Sequence, residues 1–213
     1  MIHDMVREDL KEFISTIPNN VTIVAATKYV DANDMRVLYE NGIKDFGENR
    51  VDSFLTKYEK LGNLKDINWH FIGHLQRNKA KKIINKIDYL HSLDSIELAK
   101  EIDKLRETPL NVFVEVSINL EENKNGVPYY ELENFIDEIL PLKNINIVGL
   151  MMMAYKDSDN PEIEFKKLAD LRDKLVKTKH IPLKFLSMGM SDDYLAAIKA
   201  GATHIRLGRI LYK

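Results

Sequence analysis

Short β-branched or aromatic runs alternate with longer charged, amphipathic stretches along almost the whole of this 213-residue chain. Such alternation favours a parallel sheet covered by helices. Eight strand–helix units in one domain is the number that closes a TIM barrel, so we predict a single (β/α)8 barrel over residues 1–213. The predicted strands are 21–27, 43–46, 69–73, 89–93, 111–116, 147–153, 183–188 and 203–207. Two of the helices between them are predicted through Ile83, Ile84 and Ile87 and from Asp192 to Ala200.

The outer ring lacks one helix, because only residues 208–213 follow the last predicted strand. An amphipathic helix at the N-terminus offers a replacement. Its apolar face is formed by Val6, Leu10, Phe13, Ile14 and Ile17. We predict that this helix fills the gap after the eighth strand.

Charge and composition exclude several classes of protein. The chain carries 31 Lys and Arg against 33 Asp and Glu, whereas a dedicated nucleic-acid binder usually has a clear basic excess. The absence of cysteine excludes disulfides, a thiolate nucleophile and Cys-ligated zinc. The N-terminus lacks a signal-peptide pattern, and no apolar run approaches the roughly 18 residues of a membrane span. We expect a cytoplasmic monomer that binds neither nucleic acid nor membrane.

Lys28 closes the first predicted strand, and function in such a barrel is expected where strands end and loops begin. We expect a crowded, partly dry mouth there to favour the neutral form of its amine. A neutral amine is the nucleophile that forms a Schiff base with an aldehyde. The alternative is a solvated lysine at a strand end, since lysines are mostly exposed.

The segment Ser187–Asp193 leads from the seventh strand into a helix. Ser191 is a natural cap for that helix, and glycine with hydroxyls beside free N–H groups also suits an anion. Gly208 in the next loop allows a second backbone approach. The loops after strands seven and eight commonly bind phosphate in this fold, so the eight-unit context favours a phosphate site over a capped helix start alone.

Arg206 lies two residues before Gly208 and therefore on the same side of the eighth strand. An inward arginine needs an acceptor, either a carboxylate in a structural ion pair or a ring nitrogen of a ligand. A lysine amine, a phosphate site and an arginine at one barrel mouth fit pyridoxal 5′-phosphate.

Five motifs carry a family resemblance that runs from Val21 to the C-terminus. They are Asp45–Asn49 (DFGEN), Trp69–Lys79 (WHFIGHLQRNK), Ser187–Asp193 (SMGMSDD), Ala200–Thr203 (AGAT) and Arg206–Gly208 (RLG). Taken together they resemble the YggS/PROSC family of pyridoxal phosphate homeostasis proteins. The resemblance implies an alanine-racemase-like barrel and pyridoxal phosphate as the cofactor.

The resemblance also implies the site residues. Lys28 would form the Schiff base, and Arg206 would face the pyridine nitrogen. The phosphate would be surrounded by Ser187, Ser191, Gly208 and Arg209, and the pocket would be completed by Asn49, His70, Met151 and Met190. The chain departs from the family in lacking a proline after Lys28 and in having Arg209 where threonine is common, so the loop after Lys28 and the role of Arg209 stay open.

The function that the resemblance implies is to carry and buffer pyridoxal phosphate and so to regulate vitamin B6, amino-acid and keto-acid pools. Arginine cannot release its proton, which disfavours carbanion chemistry on the ring. Racemisation also needs an acid or base on each face of the substrate carbon, and only five residues follow Gly208. We expect a carrier that serves apo-enzymes rather than a catalyst. The alternative is a stand-alone pyridoxal-phosphate-dependent amino-acid racemase.

Two further functions are weighed and set aside. A metal-dependent hydrolase using His70, His74 and His91 lacks an accompanying carboxylate cluster, so no metal is expected. The run Lys79–Lys82 is interleaved with apolar residues on an outer helix, which indicates a solvated face rather than a nucleic-acid site.

Overall fold

A computed structural model describes residues 5–122 and 124–213, and the predictions that fall on residues 1–4 lie outside this part of the chain. The strands are β1 (Thr22–Ala26), β2 (Asp45–Glu48), β3 (Asn68–Phe71), β4 (Tyr89–Leu93), β5 (Leu110–Ser117), β6 (Val127–Pro128), β7 (Ile145–Met151), β8 (Phe185–Ser187) and β9 (His204–Leu207). The α-helices are α1 (Leu10–Ser15), α2 (Ala32–Glu40), α3 (Val51–Leu61), α4 (Arg77–Ala80), α5 (Ile96–Leu105), α6 (Leu132–Ile139), α7 (Pro161–Lys179) and α8 (Tyr194–Lys199). Residues Tyr129–Glu131 and Arg209–Leu211 form 3₁₀ turns.

The strands close into a barrel, which confirms the predicted fold class. Eight parallel strands follow the order β1, β2, β3, β4, β5, β7, β8, β9, and β9 pairs with β1 to close the ring. The two-residue strand β6 pairs with the end of β5 outside this ring. Helices lie between successive strands, so the carboxyl ends of all eight strands meet at one mouth.

The register identifies the side chains that face the barrel interior, because residues paired across parallel strands point to the same side. Val24 pairs with Asp45 on one side and with Arg206 on the other. The interior is aromatic and polar, with His91 stacked 4.3 Å from Phe113 between ring centres. The hydrophobic core combines aliphatic side chains with buried aromatic ones such as Phe46, Phe54 and Phe165.

Local sequence signals begin and end helix α2. The Asp31 side chain accepts the N–H of Asp34, whose own side chain accepts the Asp31 N–H, so a capping box starts α2. Gly42, with a φ of +100°, ends that helix. The longest helix, α7, has 19 residues and Pro161 in its first turn. In the described part of the chain, no helix is both long and apolar enough to span a membrane.

The N-terminal segment packs beside the last strand as predicted, but its helix α1 covers only Leu10–Ser15, and Val6, predicted on the face of that helix, lies before it. Val6 forms an antiparallel bridge with Tyr212, and the Arg7 N–H donates to the Leu211 carbonyl at 3.0 Å. Phe13 of α1 meets Tyr194 of α8 edge to face, with ring centres 6.0 Å apart. This segment therefore joins the two ends of the barrel.

Two predicted elements differ from the structure. The helix predicted through Ile83, Ile84 and Ile87 ends at Ala80. The residues up to 86 form turns, in which some N–H groups donate to the third preceding carbonyl and others to the fourth. The three isoleucines are still buried, so their spacing satisfies packing without a regular helix. The second strand starts at Asp45, because the apolar residue Ile43 packs in the core before the strand begins.

Candidate functional site at the barrel mouth

Lys28 follows β1 at the mouth of the barrel, and its side chain is exposed. Its Nζ lies 4.9 Å from the centre of the Tyr29 ring, which is itself 83% exposed. The expectation of a partly dry environment for this amine is therefore wrong. The strand ends at Ala26, so Lys28 lies in the following turn, in which the Val30 N–H donates to the Thr27 carbonyl, rather than at the end of the strand.

The loop after β9 lies beside the end of β1. Ala25 pairs with Leu207, and a Cβ atom built on Gly208 would lie 3.6 Å from the Cβ of Ala26. Lys28 comes two residues after Ala26. The lysine and the predicted phosphate loop therefore lie on the same side of the mouth.

A buried ion pair supports the backbone immediately before Lys28. The Lys57 ammonium contacts the Glu48 carboxylate and donates to the carbonyl oxygen of Thr27. The hydroxyl of Thr27 donates to the same carboxylate at 2.8 Å. Glu48 lies in the DFGEN motif, but the sequence indicates no role for it or for Lys57, because their pairing depends on how α3 packs over β1 and β2.

Two backbone N–H groups converge on the hydroxyl oxygen of Ser191. The N–H of Gly208 donates to it at 3.4 Å and that of Ile210 at 3.2 Å. The prediction that Ser191 caps the following helix is wrong, because Asp193 occupies that position at α8. Gly189, with a φ of +100°, lies in the turn that brings Ser191 towards the loop after β9. A hydroxyl with two backbone N–H groups beside it suits the oxygens of an anion.

Arg206 points into the barrel and is 3% exposed. One terminal nitrogen donates to Ser187 Oγ at 2.6 Å and the other to the carbonyl oxygen of Met152 at 2.9 Å. Within residues 5–122 and 124–213 it forms no ion pair with a carboxylate, so the structural ion pair considered from the sequence is not found. Burial lowers the pKa of Arg206 to about 10, and the nearby carboxyl groups of Glu115 and Asp193 oppose that shift.

Ser187 and His70, both expected at the cofactor pocket, lie fully buried in the barrel interior. Ser187 contacts Arg206 and, at 2.8 Å, His91 Nδ1. His70 contacts His91 and Asp45, each at 2.8 Å. These residues thus form a layer beneath Arg206, and their direct contact with a cofactor stays a prediction.

The other predicted pocket residues occupy different positions around the mouth. Asn49 follows β2, and its Oδ1 atom is buried without a hydrogen-bond partner in the described residues. Met151 is buried at the end of β7, whereas Met190 is 46% exposed at the rim. The guanidinium of Arg209 is exposed and pairs with the carboxylate of Asp192.

A cavity of about 360 Å³ opens beside this site, along the ends of β5, β7 and β8. Glu115 lines it and is 5% exposed, and its carboxylate forms no hydrogen bond or ion pair within the described chain. Burial, with a smaller effect of Asp94, raises the pKa of Glu115 to about 7, and Arg206 opposes the shift. Sequence reasoning missed Glu115, since it lies inside an otherwise apolar strand and no motif marks it.

The histidines considered as metal ligands do not form a metal site. His70 and His91 are buried in the interior, whereas His74 is exposed. Among the residues that the structure describes, no group of three His, Cys, Asp or Glu side chains is arranged to hold a metal ion.

Comparison with known proteins agrees with the fold and the motifs. Residues 4–213 match the family described as "Alanine racemase, N-terminal domain". A pyridoxal phosphate homeostasis protein of Synechocystis is 40% identical over 208 residues, covering 94% of each chain. Another, of Aquifex aeolicus, is 41% identical over 200 residues, which cover 91% of this chain and 87% of the relative.

Solved structures of known proteins also match this fold. PipY of Synechococcus elongatus, whose structure is described as having PLP bound, has a TM-score of 0.90 and 31% identity, covering 97% of this chain and 99% of that one. An alanine racemase of Clostridium difficile matches in fold alone, with a TM-score of 0.80 and 14% identity, covering 100% of this chain and 59% of that one. By identity and coverage, the chain belongs to the family of pyridoxal phosphate homeostasis proteins.

Proposed function

We propose that this protein binds pyridoxal 5′-phosphate at the barrel mouth through a Schiff base with Lys28, and that it carries and buffers the cofactor. Its relatives are named pyridoxal phosphate homeostasis proteins, and the PipY structure is described with PLP bound. In this role the single domain, residues 1–213, contributes to the regulation of vitamin B6, amino-acid and keto-acid levels. We place it in the cytoplasm as a monomer that serves apo-enzymes and binds neither nucleic acid nor membrane.

The observation that carries this proposal is the convergence of the Gly208 and Ile210 N–H groups on Ser191, beside the strand that ends before Lys28. These three groups would bind the phosphate, and the exposed Lys28 amine would reach the aldehyde. The bound cofactor supplies an aldehyde that reacts reversibly with amines and a ring that can delocalise electrons.

Two interior features fit the ring of the cofactor. The Arg206 guanidinium has five N–H donors. Each terminal nitrogen donates one hydrogen bond within the described chain, so further N–H groups remain for the pyridine nitrogen. The buried Asn49 Oδ1 has no partner in the described chain, and a buried acceptor of this kind calls for one. Ser187 would act beneath Arg206 rather than on the phosphate, and the Arg209 side chain would stay outside.

Carriage rather than catalysis is supported by Arg206 and Lys28. An arginine holds the pyridine nitrogen as an unprotonated acceptor, which weakens the ring as an electron sink. The exposed Lys28 leaves the linkage open to incoming amines, as hand-over to an apo-enzyme requires.

The test is borohydride reduction of the protein with pyridoxal phosphate, followed by peptide mass spectrometry. We expect one phosphopyridoxyl group on Lys28 and none in Lys28→Ala. Lys44→Ala is the matched control, since its Nζ also lies over a tyrosine ring, at 3.3 Å from the centre of Tyr39. Equal labelling of Lys28→Ala and the native protein would overturn the proposal.

A second experiment separates the carrier from a stand-alone racemase. The protein loaded with pyridoxal phosphate is incubated with L-alanine or L-serine, and the D-enantiomer is measured. We expect no turnover above that of free pyridoxal phosphate. Turnover abolished by Lys28→Ala would assign the racemase function instead.

A further inference from the structure

An unbroken series of side-chain hydrogen bonds crosses the barrel interior from Asp45 to Arg206. Asp45 Oδ1 lies 2.8 Å from His70 Nε2, and His70 Nδ1 lies 2.8 Å from His91 Nε2. His91 Nδ1 lies 2.8 Å from Ser187 Oγ, which accepts a 2.6 Å bond from Arg206. We call these five residues the interior relay.

The two ends of the interior relay determine where its protons lie. A guanidinium only donates, so Ser187 Oγ accepts from Arg206. The only acceptor in the described chain within reach of the Ser187 proton is His91 Nδ1, so the hydroxyl donates to it. His91 then carries its proton on Nε2 and donates to His70 Nδ1. His70 in turn carries its proton on Nε2 and donates to the Asp45 carboxylate. Both histidines are therefore neutral Nε2–H tautomers, and every bond points towards Asp45.

Other proton arrangements fit the same distances, and in each of them His91 Nδ1 donates to Ser187 Oγ. If His70 were an imidazolium, it would donate to both Asp45 and His91, and His91 would donate to Ser187. That arrangement places a second positive charge in the interior near the buried Arg206. Every arrangement of this kind leaves the buried Ser187 proton without an acceptor in the described chain, so the direction towards Asp45 is the one that pairs every proton.

The neighbouring rings hold the interior relay in one geometry. His70 stacks on Tyr89 with ring centres 4.6 Å apart and planes within 9°, and His91 stacks on Phe113 at 4.3 Å. These contacts leave each imidazole with its two nitrogens in line with the adjacent relay members. All members except Asp45, which has a side-chain exposure of 19%, are almost fully buried.

We propose that Asp45, His70, His91 and Ser187 are positioning residues for Arg206. The negative charge of Asp45 polarises each hydrogen bond in turn along the relay. The last of these bonds orients the Arg206 guanidinium, which has no carboxylate in ion-pair contact in the described chain. The remaining N–H donors of Arg206 are then presented to the mouth in one orientation. This role rests on the proposed function, in which those donors meet the pyridine nitrogen.

The first test needs no cofactor and is therefore independent of the proposed function. Nitrogen-15 NMR of the histidine rings in cofactor-free protein reports the tautomers directly. We expect neutral Nε2–H signals for both His70 and His91 at pH 7. An Nδ1–H tautomer of His91, or an imidazolium at His70, would overturn the relay direction and with it the proposal.

The second test compares His91→Phe with His204→Phe. Both native histidines face the interior and pack against Phe113, but His204 bonds to Thr203 Oγ1 outside the relay. We expect His91→Phe to shift the guanidinium NMR signals of Arg206 in cofactor-free protein, to move the absorbance maximum of bound pyridoxal phosphate, and to weaken its binding about tenfold. His204→Phe leaves all three unchanged.

The outcomes distinguish a failure of the interior relay from a failure of the proposed function. Equal effects of both variants on the Arg206 signals would overturn the positioning role, because general packing would then explain them. Absence of label on Lys28 in the native protein would reject the proposed function, while the NMR results still judge the interior relay.

Discussion

Lys57 on α3 and Glu48 on β2 form an ion pair inside the protein, with side-chain exposures of 8% and 2%. We expect Lys57→Met to reduce the free energy of unfolding by about 3 kcal/mol, because it leaves a buried carboxylate without its cation. Urea denaturation measures the loss, and Lys60→Met on the exposed side of the same helix is the control. A loss no greater than in Lys60→Met would contradict a structural role for the pair.

The Ser191 hydroxyl is expected to recognise the phosphate of the cofactor. Ser191→Ala should weaken binding of pyridoxal 5′-phosphate about tenfold, the effect of losing one hydrogen bond to a charged group. Binding of pyridoxal, which lacks the phosphate, should not change. Absorbance titration with both compounds measures this, and Ser53→Ala on α3 is the control. An equal loss for the two compounds would place the role of Ser191 elsewhere.

His204 makes stability depend on pH. Burial is the main reason that its pKa is lowered from 6.5 to about 4. Between pH 4 and pH 6.5 the unfolded chain therefore binds a proton at His204 that the folded protein does not. The free energy of unfolding falls as the pH drops through this range, by up to about 3 kcal/mol from this group. Glu115 acts in the opposite direction, because its raised pKa lets the folded protein bind a proton below about 7.

The contribution of His204 is isolated by comparing variants. Urea denaturation from pH 7 to pH 4 should show a smaller loss of stability in His204→Gln than in the native protein. His180→Gln, which changes an exposed histidine after α7, should follow the native curve. Parallel curves for His204→Gln and the native protein would rule out the titration of His204 as a cause.

Phe13 tests the contribution of the N-terminal helix. It is 7% exposed and packs against Tyr194 and the Arg7 guanidinium, which lies 4.5 Å from its ring centre. Phe13→Ala should cost about 3 kcal/mol, typical for removal of a buried aromatic side chain. Deletion of residues 1–18 should cost at least as much. Thermal melts with Lys11→Ala as the exposed control measure both, and an undisturbed transition in the deletion variant would show that the helix is dispensable.

Much of the fold could be predicted from the sequence, because strand and helix periods differ and helix ends carry local signals. The predicted strand 89–93 has the same bounds as β4. The stretch containing Ile83, Ile84 and Ile87 misled the prediction, since apolar residues three or four apart fit either a helix or a series of turns. Only tertiary packing distinguishes the two.

The interior relay could not be predicted, because its members lie on five different strands. Whether His70 and His91 face the same interior depends on strand register, which a single sequence does not specify. Lys28 was placed correctly at the mouth, yet its exposure depends on the turn after β1. The position of Ser191 likewise depends on a glycine turn and on the proximity of the loop after β9.

The bridge between Val6 and Tyr212 and the bond from the Tyr212 hydroxyl to the Ala26 carbonyl connect segments that lie far apart in the sequence. Contacts so distant along the chain form late, since a long loop must close before they gain any energy. A nascent polypeptide that has emerged only as far as β8 would thus display Lys28 without Arg206, Gly208 or Ile210. Cofactor capture should consequently begin only after translation has passed the final strand.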